Sequence, residues 1–190
     1  MKKFMCIIFF SFLFSNVCLV ANAQVLDVLT DEHPTLRSVC IEVQKFDEET
    51  SKKVQNVTDT LEKLQGAGLA ANQVGYTERF FTISSQADGI REYYNKDFQI
   101  KDDQPLVFIN PRIIKTEGVQ TGWEACFSLK GFAYQLVRPM SVVVEALDVH
   151  GNPFKFEAKG FWAKCICHEY DHLNGILCKD NAIKSQPIDF

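Results

Sequence analysis

The run His168-Glu169-Tyr170-Asp171-His172 constrains this chain more than any other five residues. Residues four apart on a helix share a face, so both imidazoles can meet at one point with Glu169 beside them. The flanking Phe161, Trp162, Ile166, Leu173, Ile176 and Leu177 predict that this helix is buried. A solvated surface helix would not be so apolar. Burying two imidazoles and two carboxylates without partners is costly. A metal ion held by His168 and His172 accounts for them, with Glu169 placed to handle the proton of an attacking water. The rest of the chain must therefore wrap a core around a partly polar helix.

Two imidazoles do not complete a catalytic metal site, which usually takes three protein ligands. Downstream of His172 the only acids are Asp180 and Asp189, and there is no His, so the third ligand has to come from upstream. Cys126 is the candidate, in Gly122-Trp123-Glu124-Ala125-Cys126-Phe127-Ser128-Leu129. Taken alone, a free Cys is more often a small buried hydrophobe. A third segment is Gly66-Ala67-Gly68-Leu69-Ala70-Ala71-Asn72-Gln73-Val74-Gly75. Its small residues allow a close approach of another chain or a ligand. It lacks the strand-to-helix setting and the Lys of a phosphate loop, which argues against nucleotide binding. Gln73 is either a neutral donor for a developing oxyanion or an ordinary loop residue.

The surrounding pattern is α+β. Residues 47–65 read as an amphipathic helix, with Asp47 as N-cap, Gly66 as stop, and Val54, Val57, Leu61 and Leu64 on one face. Residues 79–84 and 106–114 read as strands, the latter one strand or two, bent at Asn110-Pro111. Residues 86–104 are a polar surface excursion. Residues 141–149 and 154–158 form a hairpin through His150-Gly151-Asn152-Pro153, and residues 161–173 are the second helix, ended by Asn174-Gly175. Helices packed on mainly antiparallel sheet follow from that order. At 190 residues the chain fits one domain.

Residues 1–23 stand apart. Lys2 and Lys3 precede an interrupted apolar run at 4–20, and Ala21-Asn22-Ala23 is a small-x-small cleavage pattern. This is the layout of a secretory signal peptide, with a mature domain of residues 24–190 and export to the periplasm or medium, or a cytoplasmic location if the leader is not used. The alternative, an uncleaved anchor, would be at the lower length limit for spanning a bilayer. Removing Lys2 and Lys3 takes the formal charge from -4 to -6, and no Lys/Arg cluster appears, which argues against nucleic acid as a partner. The mature segment keeps Cys40, Cys126, Cys165, Cys167 and Cys178. An odd number leaves at least one outside a disulfide, and a chain this size can fold with none.

Gly-x-Gly-Leu-Ala-Ala-x-Gln, Glu-x-Cys-x-Ser and His-Glu-x-x-His, in this order and spacing, resemble the peptide deformylase family. Residues 25–43 with His33-Pro34-x-Leu36-Arg37, together with Asn110-Pro111, Val137-Arg138-Pro139 and residues 142–148, extend the resemblance over nearly the whole mature chain. The resemblance implies a monomeric hydrolase that removes the formyl group from N-formylmethionyl peptides with one divalent ion, Fe2+ natively and Zn2+ or Ni2+ as alternatives. It implies Cys126, His168 and His172 as ligands and Glu169 as the proton carrier. Gln73 and the Phe127 backbone N–H would hold the formyl oxygen. The peptide would pair with backbone near Ala67, Gly68 and Ala125, and a pocket including Cys165 would take the methionine side chain. Three positions depart from the family pattern: Ala125 stands where Gly is usual, Phe127 where Leu is usual, and Cys167 where Gln is usual. Two rival readings are a secreted zinc endopeptidase and a deformylase-like peptide-binding protein that is non-catalytic or has an altered substrate.

Overall fold

The computed structural model describes residues 24–84 and 105–189. The leader at 1–23 and the polar excursion at 86–104 lie outside these. Among the described residues two α-helices, α1 (Glu48–Leu64) and α2 (Gly160–His172), accompany eight strands. The strands are β1 (Gly68–Ala70), β2 (Phe80–Ile83), β3 (Leu106–Glu117), β4 (Gln120–Ala125), β5 (Phe132–Arg138), β6 (Ser141–Leu147), β7 (Pro153–Lys159) and β8 (Lys184–Pro187). They form a five-stranded sheet in the order β1-β2-β3-β6-β7 and a three-stranded sheet in the order β4-β5-β8. Every pairing within them is antiparallel. The α+β expectation holds.

The larger sheet is covered on both faces at one end, because its strands alternate. On β2 and β3, Phe80 and Ile109 join Val54, Val57 and Leu61 of α1. Their neighbours Phe81 and Phe108 join Trp162, Ala163 and Ile166 of α2. That is why β2 reads as an unbroken apolar run, buried at all four positions. Strands β6 and β7 present only one apolar face, Val142, Val144, Phe154 and Phe156, to the α2 core. Leu129 and Leu136 in and beside the smaller sheet form a third cluster with Leu36, Leu177 and Cys126. Helix α2 thus runs between the two sheets.

Local chemistry sets the boundaries. Asp47 caps α1 by accepting from the Thr50 N–H at 3.0 Å. The left-handed residue at its other end is Gln65, at φ 54°, rather than the expected Gly66. Gly66 serves space instead: a Cβ there would lie 2.5 Å from the Phe127 ring. Leu64 is exposed rather than buried with the face of Val54, Val57 and Leu61, because it stands at the rim of a cleft. The 141–158 hairpin closes on Asp148, whose carboxylate accepts from the N–H groups of His150 and Asn152, both at 2.8 Å. Residues 106–114 prove to be part of one strand, β3, whose register shifts between Ile109 and Arg112. Asn110 sits at that shift with φ 50°, and its side chain pairs with both backbone groups of Val43, at 2.8 and 2.9 Å. The smaller sheet had no signal in the sequence reading. Its outer strand β8 is exposed at every position, so no apolar alternation marks it.

Replacing Asn110 by Ala removes both bonds to Val43 and leaves a β-carbon-bearing residue at positive φ. Urea denaturation should show a loss of about 2 kcal/mol. Asn110→Gly should lose less, since glycine relaxes the backbone.

Candidate metal centre

The short 3-10 turn Ala71–Val74, strand β4 and helix α2 bring the three motif segments together. Cys126 follows the last residue of β4, and His168 and His172 occupy successive turns near the end of α2. One ligand atom from each of Cys126, His168 and His172 lies within 4.8 Å of the others, and all three residues are buried. The Cys126 Sγ and His172 Nε2 are 3.3 Å apart.

His168 is oriented from behind, whereas the His172 Nδ1 has no hydrogen-bond partner among the described residues. The His168 Nδ1 is 3.0 Å from a Glu124 carboxylate oxygen, which leaves Nε2 to face the centre. Glu124 is itself held by the Arg138 guanidinium at 2.9 and 3.0 Å, and Arg138 reaches on to Asp171 at 2.6 Å. Burial raises the Glu124 carboxyl, but its bonds with His168 and Arg138 outweigh that and hold it at about 2. The C-terminal end of α2 is fixed by Asn72, which donates to the His172 carbonyl at 2.6 Å, and by Arg79, which donates to the Leu173 carbonyl at 3.1 Å. Burial disfavours charge on both imidazoles. At His168 the hydrogen bonds with Cys126 and Glu124 win and hold its pKa well up, whereas His172, facing His168, is pushed well down.

Glu169 lines the same cleft, and burial pushes its carboxyl up to about 7. Among the described residues its Oε2 has no hydrogen-bond partner, so one buried oxygen is left for something the protein does not supply. Gly68 makes its position possible, since a Cβ there would lie 2.7 Å from the Glu169 Oε1. The Gln73 carbonyl accepts from the Ala70 N–H at 2.9 Å, which turns its NH2 toward the Cys126 Sγ at 3.6 Å and the Ser128 Oγ at 3.3 Å. Ala67, Gly68, Ala125, Phe127 and Cys165 line the cleft with these groups, around a volume of about 340 Å³.

The structure thus brings together the candidate site residues of the sequence analysis, whereas Cys167 packs into the main core. It adds Glu124, Arg138, Asp171 and Asn72, which that analysis gave no role. Glu124 and Asp171 stand two and one residues from a ligand, but only the fold reveals the Arg138 between them. Phe161, read as part of a buried face, is 54% exposed at the cleft mouth. All five described cysteines are free. Burial pushes Cys40 and Cys167 up to about 11 and Cys165 and Cys178 up to about 12, so these four stay as thiols.

A buried sulfur donor and two imidazoles around one point suit a borderline-soft divalent metal. With a carboxylate beside them and an open cleft in front, they define the centre of a mononuclear metallohydrolase. The model of the polypeptide deformylase family matches residues 25–187. A peptide deformylase from Alkalilimnicola ehrlichii is 37% identical over 156 residues, 82% of this chain and 81% of that one. One from Clostridium botulinum is 39% identical over 149 residues, 78% of this chain and 90% of that one. Among solved structures, a peptide deformylase from Thermotoga maritima superposes with a TM-score of 0.73 at 28% identity, covering 85% of this chain and 99% of that one. Another from Legionella pneumophila gives 0.73 at 31% identity, covering 83% and 86%. The chain belongs to the polypeptide deformylase family.

Changing Glu124 to Gln removes the charge that orients His168 and leaves Asp171 as the carboxylate paired with Arg138. Metal affinity, read by competition with a chelator, should fall roughly 10–100-fold.

Proposed function

We infer that this chain hydrolyses N-formylmethionyl peptides to formate and the free-amine peptide. The observation that carries this reading is the 4.8 Å cluster of Cys126, His168 and His172 in one cleft with the unpartnered oxygen of Glu169. A divalent ion held by these three residues would act as a Lewis acid and make water acidic enough to attack near neutral pH. Fe2+ is the native ion in this reading, and Zn2+ or Ni2+ fit the same donors.

Around that centre the chain's own residues do the following. Glu169 accepts a proton from the attacking water and delivers it to the nitrogen that leaves, a shuttle favoured by a carboxyl poised near neutrality. Gln73, fixed through its carbonyl, donates its NH2 to the formyl oxygen as negative charge grows there, and the Phe127 N–H is the second donor. Strands β1 and β4 are the edges of their two sheets, and Gly68 and Ala125 on them line the cleft. An extended peptide can therefore add to both edges with its formyl end at the centre. The Phe127 ring lies against Gly66, toward the α1 cluster, so the bulk at this position is partly withdrawn from the cleft.

The reading extends to the first 23 residues as a leader cleaved after Ala23, giving an exported, monomeric enzyme. The family match beginning at Val25 is in keeping with it. No helix among the described residues is long and apolar enough to cross a membrane.

Formyl-Met-Ala-Ser should release formate with protein of residues 24–190 loaded with Fe2+, Ni2+ or Zn2+. Cys126→Ala should lose metal stoichiometry. Glu169→Ala should keep the ion and lose at least about 100-fold in turnover. No formate from protein shown to hold one ion would refute the assignment, and casein digestion instead would point to an endopeptidase. For the leader, N-terminal sequencing of the natural protein should read from Gln24, and a start at Met1 would overturn export by cleavage.

A further inference from the structure

Helix α2 presents one stripe to the cleft: Phe161, Lys164, Cys165 and His168, at spacings of three and four. Its upper end holds the metal ligands, and its lower end holds a cation. Among the described residues lining this cleft, Lys164 is the only Lys or Arg. It is half-buried, its ammonium lies 5.6 Å from the Phe161 ring centroid, and it makes no salt bridge among the described residues. The two carboxylates of the cleft do not neutralise it. Both Glu124 oxygens are taken by Arg138 and His168, and Glu169 belongs to the reacting centre. Gly122 makes the room: a Cβ there would lie 2.6 Å from the Lys164 Nζ. The absence of a side chain at 122 and the ammonium in its place are therefore one arrangement.

Four residues of helix separate Lys164 from His168, roughly 6 Å along the axis. That is the reach of a side chain as long as methionine, attached to the residue that carries the formyl group. An apolar tip arriving there would desolvate the ammonium and return nothing. A tip ending in oxygen would accept a charge-assisted hydrogen bond. We propose that Lys164 is a specificity-determining residue that makes this cleft prefer N-formyl peptides whose first side chain has methionine's length and ends in an acceptor oxygen. The source of that oxygen can be a carboxylate or a methionine sulfoxide. The proposal rests on the deformylase reading above.

The test compares kcat/KM for formyl-X-Ala-Ser with X as norleucine, methionine, methionine sulfoxide and glutamate, on protein holding one metal ion. At least one oxygen-tipped substrate should exceed norleucine by roughly tenfold. Lys164→Met should abolish that preference, and Lys164→Arg should keep it. Gly122→Ala, which displaces the ammonium without removing it, should shrink it. Metal content and melting temperature of each variant control for folding. A larger gain for glutamate assigns the effect to charge, and equal gains assign it to hydrogen bonding. Norleucine and methionine preferred by the parent, or a preference unmoved by Lys164→Met, would overturn the proposal with the deformylase reading intact. Formate from none of the four would overturn both.

Discussion

The buried guanidinium of Arg138 ties the molecule together. Its side chain is 8% exposed, and it bridges Glu124 of β4 and Asp171 of α2 from its own place at the end of β5. A buried charge persists only when paired, and removing one partner strands the others. The smaller sheet is thereby fixed to the helix at one register. That register decides where Cys126 stands relative to His168 and His172. It also decides the ring orientation of His168, because the same Glu124 that Arg138 holds accepts from its Nδ1. The metal centre inherits its geometry from an ion-pair network one layer behind it.

A helix carrying two imidazoles and two carboxylates can be central because its polar groups lie on one side. Trp162, Ala163 and Ile166 enter the large core with Phe81 and Phe108. His168, Glu169 and His172 face the other way, toward Cys126 and Gln73. Close packing on that polar side depends on absent side chains. Gly68 leaves the space that the Glu169 carboxylate fills, and Gly122 leaves the space that the Lys164 ammonium fills. The two glycines thus make room for two charged groups of one cleft.

Two sheet edges border the cleft in which the proposed peptide substrate would lie. Strand β1 ends one sheet and β4 ends the other, and both lie along the cleft mouth. Unpaired edges are usually a liability. Here they are short, three and six residues, and both reach the cleft, so in the proposed reading backbone recognition and chemistry share one place. Ala125 in this edge adds only a methyl to the cleft wall, while Phe127 turns its ring onto Gly66.

By itself the sequence determined the ligand-bearing helix, the three motif segments, the first helix with its Asp47 cap, the hairpin around Gly151 and the α+β class. Each of these is written in local spacing: four residues between imidazoles, three and four between the apolar positions of α1, two along the hairpin strands. Only the tertiary structure decided the rest. The smaller sheet was silent because β4 alternates half-buried with exposed positions and β8 is exposed throughout. The stop of α1 fell on Gln65 because Gly66 was needed under a ring sixty-odd residues away. The pairing of Arg138 with Glu124 and Asp171, and of Lys164 with the gap at Gly122, joins residues 14 to 42 positions apart. No helix or strand period links such positions, so their meeting is a property of how the two sheets close around α2.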